Sequence, residues 1–132
     1  MQTFTTLLSL ALAAISLAAP TMEKRADIPG SITVYANANY LGSSQEYSFV
    51  IPDGEVGICV AANLRSDLDS KVSSVRLGTE NGQYSCQLRS EPECVGFGGK
   101  LFKVRQPDLS KVSDPALGDW DNKARSLFCF AE

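Results

Sequence analysis

The sequence predicts an all-β protein in which two Greek-key motifs form one β-sandwich. Short segments alternate apolar and polar residues with the period of two that is typical of half-buried strands. No window of about 11 residues after Ala19 keeps the 3.6-residue apolar period of an amphipathic helix. Comparing the chain with itself shows a repeat of about 53 residues, which suits one Greek key that has been duplicated.

Length and composition limit the classes of function. The chain has 132 residues, enough for one small domain, and a net charge of −3 without a basic run, which argues against a nucleic-acid partner. It contains no histidine, so Ser-His-Asp and Cys-His catalysis and histidine-ligated zinc are excluded. We therefore expect a protein that is not an enzyme.

The N-terminal segment predicts export from the cell. The apolar run Leu7–Ala19 is too short to span a bilayer and suits the central region of a signal peptide, which we assign to residues 1–18. Residues 19–25 then form a short propeptide ending in Lys24-Arg25, a pair that resembles the cleavage site of kexin-type secretory proteases and indicates a fungal origin. The domain itself spans residues 26–132, and we expect it to be secreted and extracellular.

The two Greek keys are expected at about residues 31–78 and 83–131. Alternation and turn residues predict four strands in the first repeat: Ser31–Tyr35, Gln45–Val50, Val56–Ala62 and Val72–Leu77. In the second repeat, the glycine-rich stretch Gly96–Lys100 predicts a flexible turn before a strand at Leu101–Arg105.

The internal repeat is clearest in two short alignments. At an offset of 52 residues, the stretch Asp67–Val75 aligns with Asp119–Leu127 and keeps both aspartates, the lysine and the final serine. At an offset of 54, Asn39–Gly42 aligns with Glu93–Gly96 and shares the turn glycine. Each half of the chain therefore carries the same hairpin and the same acidic loop.

The motif of the first repeat resembles that of the βγ-crystallins. It reads Tyr35-x4-Tyr40-x-Gly42 and is followed by the acidic stretch Asp69–Ser74. The resemblance implies that the aromatic stretch folds the first hairpin over the sheet, with Gly42 in a conformation that a side chain would strain. It also implies that Ser74 pins the folded hairpin.

The second repeat departs from this pattern. It keeps Gly96 and Ser126 at the glycine and serine positions, but Arg89 and Cys94 stand where the two aromatic residues belong. The resemblance therefore does not imply an aromatic corner here, and we expect a disulfide to hold this hairpin instead.

Four cysteines follow the predicted signal peptide, so we expect two disulfides, for which three connectivities exist. The resemblance implies that the third strand of each Greek key joins the sheet of the other. This arrangement brings Cys59 beside Cys129 and leaves Cys86 to pair with Cys94 across the second hairpin.

The resemblance also implies calcium as a candidate cofactor, bound by one acidic stretch from each repeat. The candidate ligands are Asp69, Ser73, Asp121 and Asn122. Two complete sites are not expected, because Arg125 stands where a hydroxyl ligand belongs and its cation repels calcium. A single weak site is one outcome. In the other, Arg125 pairs with a carboxylate such as Asp69 and replaces the ion.

Trp120 is the only tryptophan, and Leu68 holds the equivalent place in the first repeat, so we expect Trp120 to be buried and structural. The resulting hypothesis is a secreted, monomeric, non-catalytic βγ-crystallin-like structural or stress-type protein. It would have no integral membrane segment after processing, and its partner would be a protein or a glycan. The alternatives are a secreted toxin or host-directed effector and, less favoured, a protease inhibitor using the loop Gln87–Glu93.

Overall fold

A computed structural model describes residues 26–78, 83–96, 98–99 and 101–132 of the chain. The signal peptide and propeptide predicted for residues 1–18 and 19–25 lie outside the described residues. The strands are β1 (Ile28–Asn37), β2 (Leu41–Ile51), β3 (Gly57–Ala61), β4 (Ser74–Leu77), β5 (Tyr84–Arg89), β6 (Arg105–Gln106), β7 (Ser113–Asp114), β8 (Gly118–Asp119) and β9 (Ser126–Ala131). Two short 3₁₀ turns occupy Pro92–Cys94 and Leu109–Lys111. Within this described part, no helix is long and apolar enough to cross a membrane.

The strands form two main sheets that the repeats build together. One sheet has the order β2-β1-β4-β6 and the other the order β3-β9-β5, while β7 and β8 form a small separate hairpin. The third strand of the first repeat, β3, thus pairs with β9 of the second repeat, and β6 of the second repeat pairs with β4 of the first. This exchange confirms the predicted all-β sandwich of two Greek keys.

The four strands predicted for the first repeat are present as β1 to β4. The hairpin of β1 and β2 is longer than predicted, since its pairing extends from Ile28 opposite Ile51 to Asn37 opposite Leu41. Along β1, Ile32 and Val34 are fully buried between the sheets, whereas the alternate residues Thr33 and Tyr35 face outward.

The predicted strand Leu101–Arg105 is wrong as a continuous element. Phe102 exchanges two backbone hydrogen bonds with Cys86 of β5, at 2.9 and 2.7 Å. Two residues later, the Val104 carbonyl accepts instead from the Leu77 amide of β4, at 2.8 Å. The chain crosses here from one sheet to the other, so no single ladder covers the segment and regular pairing is confined to β6.

Both repeats supply the core between the sheets. The largest fully buried side chains are Trp120, Ile32, Ile51, Leu68, Leu88, Leu109 and Leu127. Since each sheet contains strands from both halves, neither half encloses this core alone. The two Greek keys therefore form one packing unit.

Candidate functional site

A buried serine holds each folded hairpin against the sandwich. In the first repeat, the Ser74 hydroxyl accepts from the Tyr40 amide at 3.0 Å and donates to the Asn37 carbonyl at 2.7 Å. In the second, the Ser126 hydroxyl accepts from the Cys94 amide at 2.9 Å and donates to the Glu91 carbonyl. Both serines are fully buried. The internal repeat is therefore preserved at the level of single hydrogen bonds.

The hairpins share a left-handed backbone at equivalent positions. Gly42 and Gly96 have φ of 82° and 81°, and Tyr40 and Cys94 have φ of 62° and 59°. A Cβ added to Gly42 would lie 2.6 Å from the side-chain nitrogen Nδ2 of Asn37. The positive φ therefore favours glycine at both positions.

We expect Ser126→Ala to destabilise the fold by about 1–3 kcal/mol, because it leaves the Cys94 amide without its buried partner. Ser74→Ala is expected to have a similar effect through Tyr40. Ser48→Ala, at an exposed position of β2, is the control and should change the free energy of unfolding by less than about 0.5 kcal/mol. Urea unfolding measures all three. A Ser126→Ala variant as stable as the control would contradict this role.

An aromatic corner is present in the first repeat. The Tyr35 and Tyr40 rings meet edge to face with centroids 5.5 Å apart, and the Arg76 guanidinium lies 4.8 Å from the Tyr40 centroid. These contacts cover the outer face of the first sheet beneath the folded hairpin.

The second repeat uses different contacts at the equivalent positions. Arg89 replaces the first tyrosine, and its guanidinium lies 5.1 Å from the centroid of the Phe128 ring. The same guanidinium donates to the Cys94 carbonyl at 2.8 Å. Cys94 replaces the second tyrosine and is bonded to Cys59. A disulfide and an arginine thus take the place of the aromatic corner.

The expected disulfide pairs, Cys59–Cys129 and Cys86–Cys94, are wrong. The structure contains Cys59–Cys94 and Cys86–Cys129, with Cα–Cα distances of 5.9 and 4.0 Å. The reason is strand register. In the β3–β9 pair, Cys129 stands opposite Ile58 and Cys59 stands opposite Phe128, so the side chains of Cys59 and Cys129 point to opposite faces.

The two observed disulfides occupy the two faces of the same sheet. Cys86 stands directly opposite Cys129 in the β5–β9 pair, and both are fully buried in the core. Cys59 is exposed on the outer face, where Cys94 reaches it from the second hairpin. One bridge therefore crosses the core face of the second repeat, and the other joins the two repeats at the surface.

The candidate calcium ligand Asp69 is bound by Arg125. The Arg125 Nε lies 3.0 Å from Asp69 Oδ1, and Nη2 lies 3.2 Å from Oδ2, so the guanidinium engages both carboxylate oxygens. This two-point geometry is the strong form of an arginine–carboxylate contact. Of the two outcomes predicted for the acidic stretches, the structure contains the ion pair.

The other candidate ligands lie in the same pair of loops. The backbone amide of Asn122 donates to the Val72 carbonyl at 3.0 Å, and the backbone amide of the equivalent Ser70 donates to the Ala124 carbonyl at 2.9 Å. Both residues have a φ of 60°. The Asp121 amide is held by the Asp119 carboxylate at 2.8 Å. The two acidic stretches thus brace one another by matched backbone bonds.

Ser73, the remaining candidate ligand, is hydrogen-bonded to β1, where its amide donates to the Tyr35 carbonyl at 2.8 Å. Lys123 adds a second cation, 3.7 Å from an oxygen of Asp119. Among the described residues, no group of three or more His, Cys, Asp or Glu side chains is arranged to hold a metal ion. The donor set around Asp69 does not fit calcium, because the guanidinium that contacts both of its oxygens offers only hydrogen-bond donors.

Trp120 is fully buried, as predicted. Its Nε1 donates to Asp114 Oδ2 at 2.9 Å, and the other oxygen of Asp114 accepts the Ala116 and Leu117 amides. These bonds, the Ala116 amide foremost, lower the pKa of Asp114. The indole is therefore a structural group and presents no platform for a sugar.

No family profile and no curated protein matches the chain. Solved structures do. A βγ-crystallin from an archaeon is 15% identical, covers 74% of this chain and 94% of its own, and superposes with a TM-score of 0.51. A βγ-crystallin domain from Flavobacterium johnsoniae is 21% identical over 76% of this chain and 94% of its own, with a TM-score of 0.48. With the exchanged strands and pinned hairpins, the archaeal match shows that this chain has the fold of the βγ-crystallin domains.

Proposed function

We propose that this chain is a secreted, non-catalytic βγ-crystallin-like structural or stress-type protein whose acidic loops are held by an ion pair in place of calcium. The contact of Arg125 with both carboxylate oxygens of Asp69 carries the proposal. It joins the acidic loop of one repeat to the acidic loop of the other.

Chemistry explains why the ion pair and calcium compete. Calcium needs six to eight oxygen ligands, whereas a guanidinium offers only donors. To use Asp69, calcium would have to displace Arg125 from both oxygens. A site limited to Asp121, Asn122 and Ser73 would have too few ligands for tight binding. We infer that calcium binding is weak and that folding does not depend on it.

The absence of histidine supports a non-catalytic role, since the usual acid–base group at neutral pH is missing from the sequence. The partner class that fits the acidic chain is a protein or a glycan rather than nucleic acid.

Two observations support secretion. The N-terminal apolar run is typical of a signal peptide, and all four cysteines are paired in disulfides, which persist in oxidising compartments. The dibasic pair Lys24-Arg25 favours processing in a fungal secretory pathway.

The test of secretion is the N-terminus of the protein recovered from the medium of a fungal host that expresses the full chain. We expect it to begin at Ala26. The control variant Lys24→Ala/Arg25→Ala should retain the propeptide and begin near Ala19, because only the dibasic site is removed. Retention of the wild-type chain inside the cell, or the same N-terminus in both proteins, would contradict the proposal.

A further inference from the structure

The two disulfides differ sharply in their access to solvent. Cys86 and Cys129 are fully buried in the core, so a reagent in solution reaches them only when the sandwich opens. Cys59 is exposed on the outer face of β3, and its partner Cys94 retains 9% of its surface. In the folded protein, a reagent can therefore attack the Cys59–Cys94 bridge at Cys59 and not at Cys94.

Access makes Cys94 the leaving group, because a thiol in solution reaches the exposed Cys59 and not the buried Cys94. The Arg89 guanidinium donates to the Cys94 carbonyl at 2.8 Å, which places a positive charge beside this residue. The neighbouring carboxylate of Glu93 is held by the Asn63 side chain at 3.2 Å. A nearby cation stabilises a departing thiolate, and a better leaving group speeds exchange.

We propose that Cys59–Cys94 is a site of thiol–disulfide exchange, at which a small aliphatic thiol modifies Cys59 and releases Cys94. The thiolate of the reagent attacks Cys59 Sγ and forms a new sulfur–sulfur bond there. The Cys59–Cys94 bond breaks, and its electron pair leaves with Cys94 Sγ, which takes a proton from water. Cys86–Cys129 stays intact.

The repeat indicates what the modification changes. In the first repeat, the hairpin keeps the contacts of Tyr40 with Tyr35 and Arg76. In the second, the residue equivalent to Tyr40 is Cys94, and its side chain is held by the disulfide. After exchange, the backbone bond from the Cys94 amide to Ser126 remains, but the side-chain anchor is lost. Modification thus loosens the second hairpin and leaves the first unchanged.

The oxidised full-length protein is incubated with reduced glutathione without denaturant, then trapped with an alkylating reagent and mapped by mass spectrometry. We expect glutathione on Cys59, the alkyl group on Cys94, and opening at least about a hundredfold faster than at Cys86–Cys129. Equal rates for the two disulfides, glutathione on Cys94, or no reaction under conditions that open the unfolded chain would overturn the proposal.

Amide hydrogen exchange provides the structural readout with an internal control. In the modified protein, exchange at the Cys94 amide should rise at least about tenfold, while the equivalent Tyr40 amide keeps its rate. A parallel rise in the exchange rates of both amides would show general unfolding and would overturn the proposal that modification loosens only the second hairpin.

Arg89→Gln tests the leaving-group argument and should slow exchange about threefold. Arg76→Gln is the matched control, because Arg76 packs on the hairpin of the first repeat and should leave the rate unchanged. An Arg89→Gln rate equal to or above that of the control would overturn the part assigned to Arg89.

Discussion

Replacing Cys86 and Cys129 together by alanine is expected to lower the free energy of unfolding by about 4–5 kcal/mol. Closure of a loop with a sequence separation of 43 residues accounts for about 4 kcal/mol by chain entropy. The remainder comes from packing, since both sulfur atoms fill the core and alanine leaves space there. For a domain of this size, the loss lowers Tm by roughly 20 °C.

The variant Cys59→Ala/Cys94→Ala is the matched control. Its sequence separation of 35 residues gives nearly the same loop-closure contribution, about 4 kcal/mol. Because Cys59 is exposed, little packing is lost with it. Thermal unfolding of both variants should therefore show the larger loss for the Cys86–Cys129 pair. Equal losses, or a larger loss for the surface pair, would contradict the assigned burial.

Trp120→Ala is expected to destabilise the fold by about 3–5 kcal/mol, because it removes the largest fully buried side chain. The indole packs against the backbone at Gly99, where an added Cβ would lie 2.5 Å from Trp120 Cε2. The variant also removes the hydrogen bond to Asp114. Urea unfolding followed by circular dichroism measures the loss without needing tryptophan fluorescence.

Trp120→Leu is the informative comparison, since Leu68 fills the equivalent place in the first repeat and is fully buried. Leucine retains part of the apolar contact, so we expect a smaller loss of about 1–3 kcal/mol. A Trp120→Ala variant within about 1 kcal/mol of the wild type would contradict the structural role of the indole.

The overall architecture could be predicted because the chain contains an internal duplication. The shared turn glycines and the serines that end the acidic stretches lie at constant offsets, and the structure contains matched hydrogen bonds at those residues. The exchange of β3 and β6 between the repeats also agrees with the expectation. Periodicity and repetition indicate the order of the elements along the chain, whereas the serine contacts and the strand exchange were expected from the resemblance to the βγ-crystallins.

Disulfide pairing could not be predicted in the same way, because it depends on register. Cys59 and Cys129 lie on neighbouring strands, yet a difference of one position places their side chains on opposite faces. The pairing also shifts between Cys59 and Ala61, which no local pattern indicates. A useful signal was present at Cys94, which stands at the position of Tyr40, a residue that packs on the outer face of the first sheet.

The path of the chain through Leu101–Arg105 could not be predicted either, because it also depends on contacts between strands. Its backbone bonds pass from β5 at Phe102 to β4 at Val104, and such a crossing is decided by the meeting of the two sheets. The Arg125–Asp69 contact, in contrast, was one of two outcomes expected from the resemblance, since Arg125 stands where the βγ-crystallin pattern has a hydroxyl ligand.

The most direct test of the ion-pair account is the thermal unfolding midpoint of wild type and Arg125→Ser, each measured in millimolar calcium and in EDTA. The account predicts that calcium changes the wild-type Tm by less than about 1 °C. Arg125→Ser frees Asp69 and restores a hydroxyl ligand, so calcium should raise its Tm by about 5 °C. A wild-type shift of several degrees, with no larger shift in the variant, would contradict the replacement of calcium by Arg125.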